Sequence, residues 1–127
     1  MVWDLFDFTT ENCRSIIREW VSTERLSRRD IGQLNQKLDM LRIAGPTLPP
    51  KLLAGPIYKH IYKLIVHGDR MLRPFLCKGP LEMEQEYTLL LGAIEADWKL
   101  DRHPSEAENN RSLVIADPGR RRPHERY

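Results

Sequence analysis

Apolar residues at Cys13, Ile16, Ile17, Trp20 and Val21 recur every three or four positions, with Arg14, Arg18 and Glu19 on the opposite side. This spacing predicts an amphipathic helix entered from Glu11, with Thr10 as its N-cap. Ahead of it, Val2 to Phe8 mixes Trp, Phe, Val and Leu with two aspartates and reads as a short first strand ending at Thr9-Thr10. A second helix begins at Ser27-Arg28-Arg29-Asp30, which resembles a capping box. Its stripe of Ile31, Leu34, Leu38 and Leu41 runs up to the helix-stopping Gly45, so the two helices form a hairpin about the 22–26 turn.

After Pro46, Pro49, Pro50 and Pro56 the period changes from helical to alternating. Ile57 to Val66 reads as a strand, His67-Gly68-Asp69 as a turn, Met71 to Cys77 as a strand, Lys78-Gly79-Pro80 as a turn, and Tyr87 to Ile94 as a third strand of an antiparallel meander. Pro104-Ser105-Glu106 starts a short last helix that reaches about Ile115 and stops before Pro118-Gly119. Residues 119–127 have little to bury and read as a disordered basic tail behind a single domain over 1–118. The expected class is α+β: a small antiparallel sheet covered on one face by an N-terminal helical hairpin, with a short C-terminal helix.

Composition changes this picture little. The chain has 127 residues, 41% hydrophobic and 30% charged, close to an ordinary globular domain. The longest uncharged apolar run, Thr88 to Ile94, is far short of the roughly 18 residues a membrane span needs. No basic region opens the N-terminus, so a cytoplasmic protein with no membrane partner is expected. Cys13 and Cys77 lie among apolar residues and read as reduced core residues.

Charge adds more. The net charge is +2, but residues 1–50 are neutral, 51–78 carry +5, 79–118 carry −6 and 119–127 carry +3. Strand alternation places Lys59 and Lys63 together with Ile57, Ile61 and Ile65, and Tyr58, His60, Tyr62, Leu64 and Val66 on the face under the helices. Arg73 shares its face with Met71 and Phe75, and Arg70 sits at the turn. Lys59, Lys63, Arg73 and Arg70, with His60, His67 and Lys78 at the margins, would form a phosphate-seeking surface on the open face. The alternative is that these are the solvated residues of a half-exposed sheet.

Rival chemistries have little to stand on. The chain has no GxGxxG or GxxxxGK loop, no CxxC, no HExxH and no GxSxG, so neither a metal nor a small-molecule cofactor is expected. Glu95, Asp97 and Asp101 are a weak carboxylate set, and Glu82, Glu84 and Glu86 read as a solvated lead-in to the third strand. The tail arginines Arg120, Arg121, Arg122 and Arg126 read as a solubilising end before they read as a nucleic-acid arm.

The element order and several local strings resemble the RelE/ParE/HigB superfamily of bacterial type II toxins, especially its phage-derived HigB-like branch. The resemblance spans about Trp3 to Ile115. It is carried by the helical hairpin, by Leu52-Leu53-Ala54-Gly55-Pro56-Ile57-Tyr58 and Tyr62-Lys63-Leu64, and by Leu72-Arg73-Pro74-Phe75. Tyr87-Thr88-Leu89-Leu90-Leu91-Gly92-Ala93 and Pro104-Ser105-Glu106-Ala107 continue it.

The resemblance implies a ribosome-dependent messenger RNA endoribonuclease working without a metal and neutralised by a cognate antitoxin protein. Arg73 matches the family's strand arginine and would stabilise the scissile phosphate. Lys63 and Lys59 would orient phosphate or act as base, and Arg70, His60, His67 and Lys78 would contact RNA. The chain departs from the family pattern after the third strand, where Glu95, Asp97 and Trp98 replace basic residues. Two other readings stay open: a gyrase-directed ParE-like toxin, and a non-catalytic phage-derived protein-interaction domain.

Overall fold

The computed structural model describes residues 2–95 and 102–127. Its elements are β1 (Asp4–Phe8), α1 (Ile16–Thr23), α2 (Arg28–Ala44), β2 (Leu53–Tyr58), β3 (Ile61–Leu64), β4 (Val66–His67), β5 (Met71–Lys78), β6 (Glu86–Ile94), α3 (His103–Ala116) and β7 (Arg121–Pro123). Short 3-10 turns at Gly45–Thr47 and Pro118–Arg120 follow α2 and α3. The class is α+β, as the sequence pattern implies. Among the described residues no helix is long and apolar enough to cross a membrane.

Side-chain capping decides where the hairpin helices begin. Ser27 accepts from the Asp30 N–H at 3.1 Å while the Asp30 carboxylate accepts from the Ser27 N–H at 3.2 Å, closing the anticipated capping box. For α1 the cap is Ser15, not Thr10: the Ser15 hydroxyl accepts from the Arg18 N–H at 3.1 Å. Residues 10–14 instead form a turn in which Cys13 adopts φ 61° and is exposed, so Cys13 is not a core residue. Apolar period alone had carried the helix one turn too far back.

Gly45 ends α2 at φ 54°, ψ −131°, a conformation costly for any residue with a Cβ. A Cβ there would also sit 2.3 Å from Nε1 of Trp3. Gly45→Ala is expected to cost about 1–3 kcal/mol in urea unfolding, and an unchanged midpoint would contradict this.

The sheet runs in the order β2-β3-β5-β6-β1-β7, with β4 paired to β5. It is mixed, not antiparallel: β1 lies parallel to β6, with Leu5 opposite Tyr87 and Asp7 opposite Leu89. Nothing in the alternation of a single strand names its neighbour, so this insertion had no local signal. The stretch 57–66, anticipated as one strand, is the β2–β3 hairpin followed by β4. Tyr58 pairs with Ile61, and the intervening Lys59 is in a left-handed conformation at φ 50°.

Two apolar clusters separate by strand alternation. In one, Ile17, Leu34, Leu38 and Leu41 of the hairpin meet Leu5, Leu64, Val66, Leu72, Leu76, Tyr87 and Leu89. In the other, Ala107 and Val114 of α3 meet Phe8, Ile61, Phe75, Cys77, Leu90 and Ala93. A bulge shifts the parity of β6: Leu76 pairs with Leu89 but Phe75 with Leu91, leaving Leu90 as the extra residue, so that Leu90, Leu91 and Ala93 all serve the α3 cluster. The face expected to be open is therefore partly covered by α3.

The C-terminal residues are also built in. β7 pairs antiparallel with β1, Phe8 opposite Arg121, and the His124 N–H donates to the Leu5 carbonyl at 2.9 Å. The Arg121 guanidinium pairs with the buried Glu86 and lies 3.9 Å from the Phe6 ring centroid. Side-chain pairing, a cation–π contact and the packing of Tyr127 against the core thus order a segment whose composition is mostly charged. This corrects both the disordered tail and the solvated reading of Glu86.

Candidate functional site

β3, β5 and β6 turn Lys63, Arg73 and Phe75 toward the α3 side of the sheet. Lys63 stands opposite Phe75, and Arg73 stands opposite Ala93. Arg73 is 4% exposed. One of its Nη atoms donates to the Leu72 carbonyl at 2.8 Å, the other pairs with the Glu95 carboxylate, and its Nε is buried without a partner. Glu95 extends the β5–β6 ladder, its N–H donating to the Met71 carbonyl at 2.9 Å.

α3 brings further polar groups to this face. The His103 ring stacks on Phe75, planes 2° apart and centroids 6.2 Å apart. Arg111 donates to Glu108 at 3.1 Å, and His60 Nδ1 lies 3.6 Å from the same carboxylate. Seven buried side-chain polar atoms among the described residues lack a partner, and four are here: Arg73 Nε, His103 Nδ1, Glu108 Oε2 and Arg111 Nε. Their concentration marks this face as the part of the described fold with the most polar atoms left without a protein partner.

Of the residues anticipated from sequence, the fold brings together Arg73, Lys63 and, through Glu108, His60. It separates the others. Lys59 sits on the β2–β3 turn, exposed, with Nζ 5.4 Å from the Tyr58 ring centroid. Arg70 belongs to the helical hairpin: its guanidinium donates to the Glu24 carbonyl at 2.5 Å and lies 3.6 Å from both the Glu24 and the Asp30 carboxylates. His67 is exposed on β4, with Nδ1 3.2 Å from the Met71 sulfur. Lys78 lies opposite Tyr87, on the hairpin side, where it binds Glu84 at 3.1 Å and sits 5.7 Å from the Trp3 ring centroid.

Glu95, weighed in the sequence only within a carboxylate set, is the partner of Arg73; Asp97 and Asp101 lie outside the described residues. His103, Glu108 and Arg111 were missed as site residues because only the packing of α3 onto the sheet brings them here. Cys77 lies on the same face, but burial pushes its thiol up to about 12, with Arg111 opposing that rise and Glu108 adding to it. A thiol held that high is not a nucleophile near neutral pH. Among the described residues no three His, Cys, Asp or Glu side chains are grouped to hold a metal. The groups gathered here, a guanidinium, a lysine, a carboxylate and an imidazole beside a strand face, are of the kinds that serve acid–base and electrostatic chemistry.

Compared with known proteins, the chain matches no family model, no curated protein and no solved structure.

Proposed function

We propose that the protein is a toxin-like endoribonuclease that cuts messenger RNA on the ribosome without a metal and is neutralised by a small cognate antitoxin. The observation that supports this most is Arg73, a buried strand arginine with an unpartnered Nε, sharing one sheet face with Lys63. In such a reaction the ribose 2′-oxygen attacks the adjacent phosphorus and the 5′-oxygen of the next nucleotide leaves. The products are a 2′,3′-cyclic phosphate and a 5′-hydroxyl. Arg73 and Lys63 would hold the phosphate as its negative charge grows, and the RNA phosphate would compete with Glu95 for the guanidinium. Lys59, exposed on the β2–β3 turn, would contact the RNA backbone from the end of the hairpin.

Induced expression with mapping of RNA ends tests this reading. Lys63→Ala, at a half-buried position with room for truncation, is expected to lower cleavage about 100-fold while leaving the melting temperature nearly unchanged. Unchanged cleavage in Lys63→Ala and in Arg73→Lys would remove these residues from the reaction, and no messenger cleavage by the wild-type chain would remove the nuclease reading.

The neutralisation of Arg73 by Glu95, with α3 lying across part of the same face, favours a second reading: a binding module, gyrase-directed or phage-derived, that acts through protein contacts alone. Growth arrest with intact messenger and accumulated cleaved DNA would select the gyrase-directed form.

A further inference from the structure

A cavity of about 480 Å3 opens at the C-terminal end of β6, lined by Trp20, Glu24, Arg70, Gly92, Ala93, Ile94 and His103. Among the described residues β6 has no strand partner on this edge beyond Leu89, where its pairing with β1 ends. The β5–β6 ladder decides which groups face that edge. The Glu95 N–H bonds to the Met71 carbonyl, so Met71 with Glu95 and Arg73 with Ala93 are the hydrogen-bonded pairs. Pro74, which has no N–H, stands opposite Gly92, where the alternation requires no bond. The N–H and C=O groups of Gly92 and Ile94 therefore point outward to the cavity, and the ladder gives them no partner.

The aromatic wall is set by Gly92. A Cβ at this position would lie 2.1–2.6 Å from Cδ2, Cε3 and Cε2 of Trp20, so the indole lies flat on the glycine backbone. His103 supplies a second ring, and Glu24, held by Arg70, supplies a carboxylate at the rim. Among the described residues the exposed edge groups are those of Gly92 and Ile94, a short run, and its flanks are rings and charges suited to a small planar polar molecule.

We infer that this cavity binds a nucleobase, stacked on Trp20 and hydrogen-bonded along its edge by the backbone of Gly92 and Ile94. The inference rests on the ribonuclease reading for its biological role: the base of a nucleotide whose phosphate lies at Arg73 and Lys63 would be held by the other side of the same strand end. Aromatic stacking with backbone hydrogen bonds is a general means of holding an unpaired base.

The test is titration of the full chain with AMP, GMP, CMP and UMP separately, followed by amide chemical shifts. At least one nucleotide is expected to saturate below about 10 mM, with the Gly92 and Ile94 amides among those that shift. Trp20→Leu should weaken that binding about tenfold, and Trp20→Phe, which keeps a smaller ring, should weaken it less. The graded loss separates a stacking platform from a fold defect, and the wild-type shift map needs no variant. No saturation with any nucleotide, or shifts that avoid Gly92 and Ile94, would overturn the proposal. A second copy of the chain at this edge would instead give concentration-dependent shifts without nucleotide, which also overturns it. Nucleotide binding in a protein that never cleaves RNA would leave the pocket standing and remove the nuclease reading. Cleavage by a protein whose cavity binds no nucleotide would do the reverse.

Discussion

Replacing Asp30 by alanine is expected to lower the stability of the protein by about 2–4 kcal/mol, because it removes a buried carboxylate that caps a helix and accepts from a neighbouring turn, leaving those N–H groups unpaired. Asp30 is 1% exposed and serves two elements at once. Its carboxylate caps α2 through the Ser27 N–H, accepts from the Arg70 N–H at 3.1 Å, and faces the Arg70 guanidinium at 3.6 Å. The turn before β5 closes tightly on it: a Cβ at Gly68 would meet Oδ1 at 2.3 Å. Alanine would leave Arg70 without that carboxylate and unfasten the hairpin from the β4–β5 turn.

The same contacts fix the sign of a pH effect. Burial by itself raises the Asp30 pKa, but hydrogen bonds from the Arg70, Ser27 and Asp69 N–H groups and from the Ser27 hydroxyl outweigh it, and the net shift is downward. A carboxyl depressed in the folded state contributes stability that is fully present above its unfolded pKa. That contribution disappears as pH falls through the folded value. Urea unfolding of wild type and Asp30→Asn between pH 7 and pH 2 measures it: the gap between them should be constant above about pH 5 and close below the ordinary carboxylate range. A gap that widens with acid would contradict the assignment.

Asp7→Ala is expected to cost a comparable amount, about 3 kcal/mol or more, and to loosen one specific strand. Asp7 is 3% exposed on β1; its carboxylate accepts from the Ser15 hydroxyl at 2.7 Å and lies 2.8 Å from His124 Nδ1. The same residue thus fixes the cap of α1 and the end of β7. Next to it, Asn35 pairs with the backbone of Tyr127, donating at 2.9 Å and accepting at 3.2 Å. Burial and then the Asp7 carboxylate push the Tyr127 phenol above its ordinary range, against the opposing pull of Arg18. Without Asp7, the Ser15 hydroxyl and the His124 ring lose their acceptor in a dry site. Hydrogen exchange should then quicken at the Arg122 and His124 amides before the β5–β6 core is affected. Uniform quickening across the sheet, or none, would show that β7 is held by something else.

Reading residues in order succeeded where the determining contact is local. The α2 box of Ser27 and Asp30, its stop at Gly45 and the β5 and β6 strands were legible because each is set within a few positions. It failed at Lys59 and His60, where a two-residue turn interrupts a run of β-forming residues, and at Arg121, whose order depends on Glu86, 35 residues away. The anticipated basic surface failed for the same reason in part. Lys63 and Arg73 share one face because strand alternation carries them there, while Arg70 and Lys78 follow carboxylates on the other side.

By itself, then, the sequence determined an α+β chain with a helical hairpin before the meander, and it marked Arg73 and Lys63 as neighbours on a strand face. Only the tertiary structure decided that β1 enters the sheet parallel to β6, that α3 covers part of the far face, and that Arg73 lies buried against Glu95. Hydrophobic period and capping act over one turn or one strand, whereas strand insertion and the pairing of buried charges are fixed by chain segments far apart in sequence.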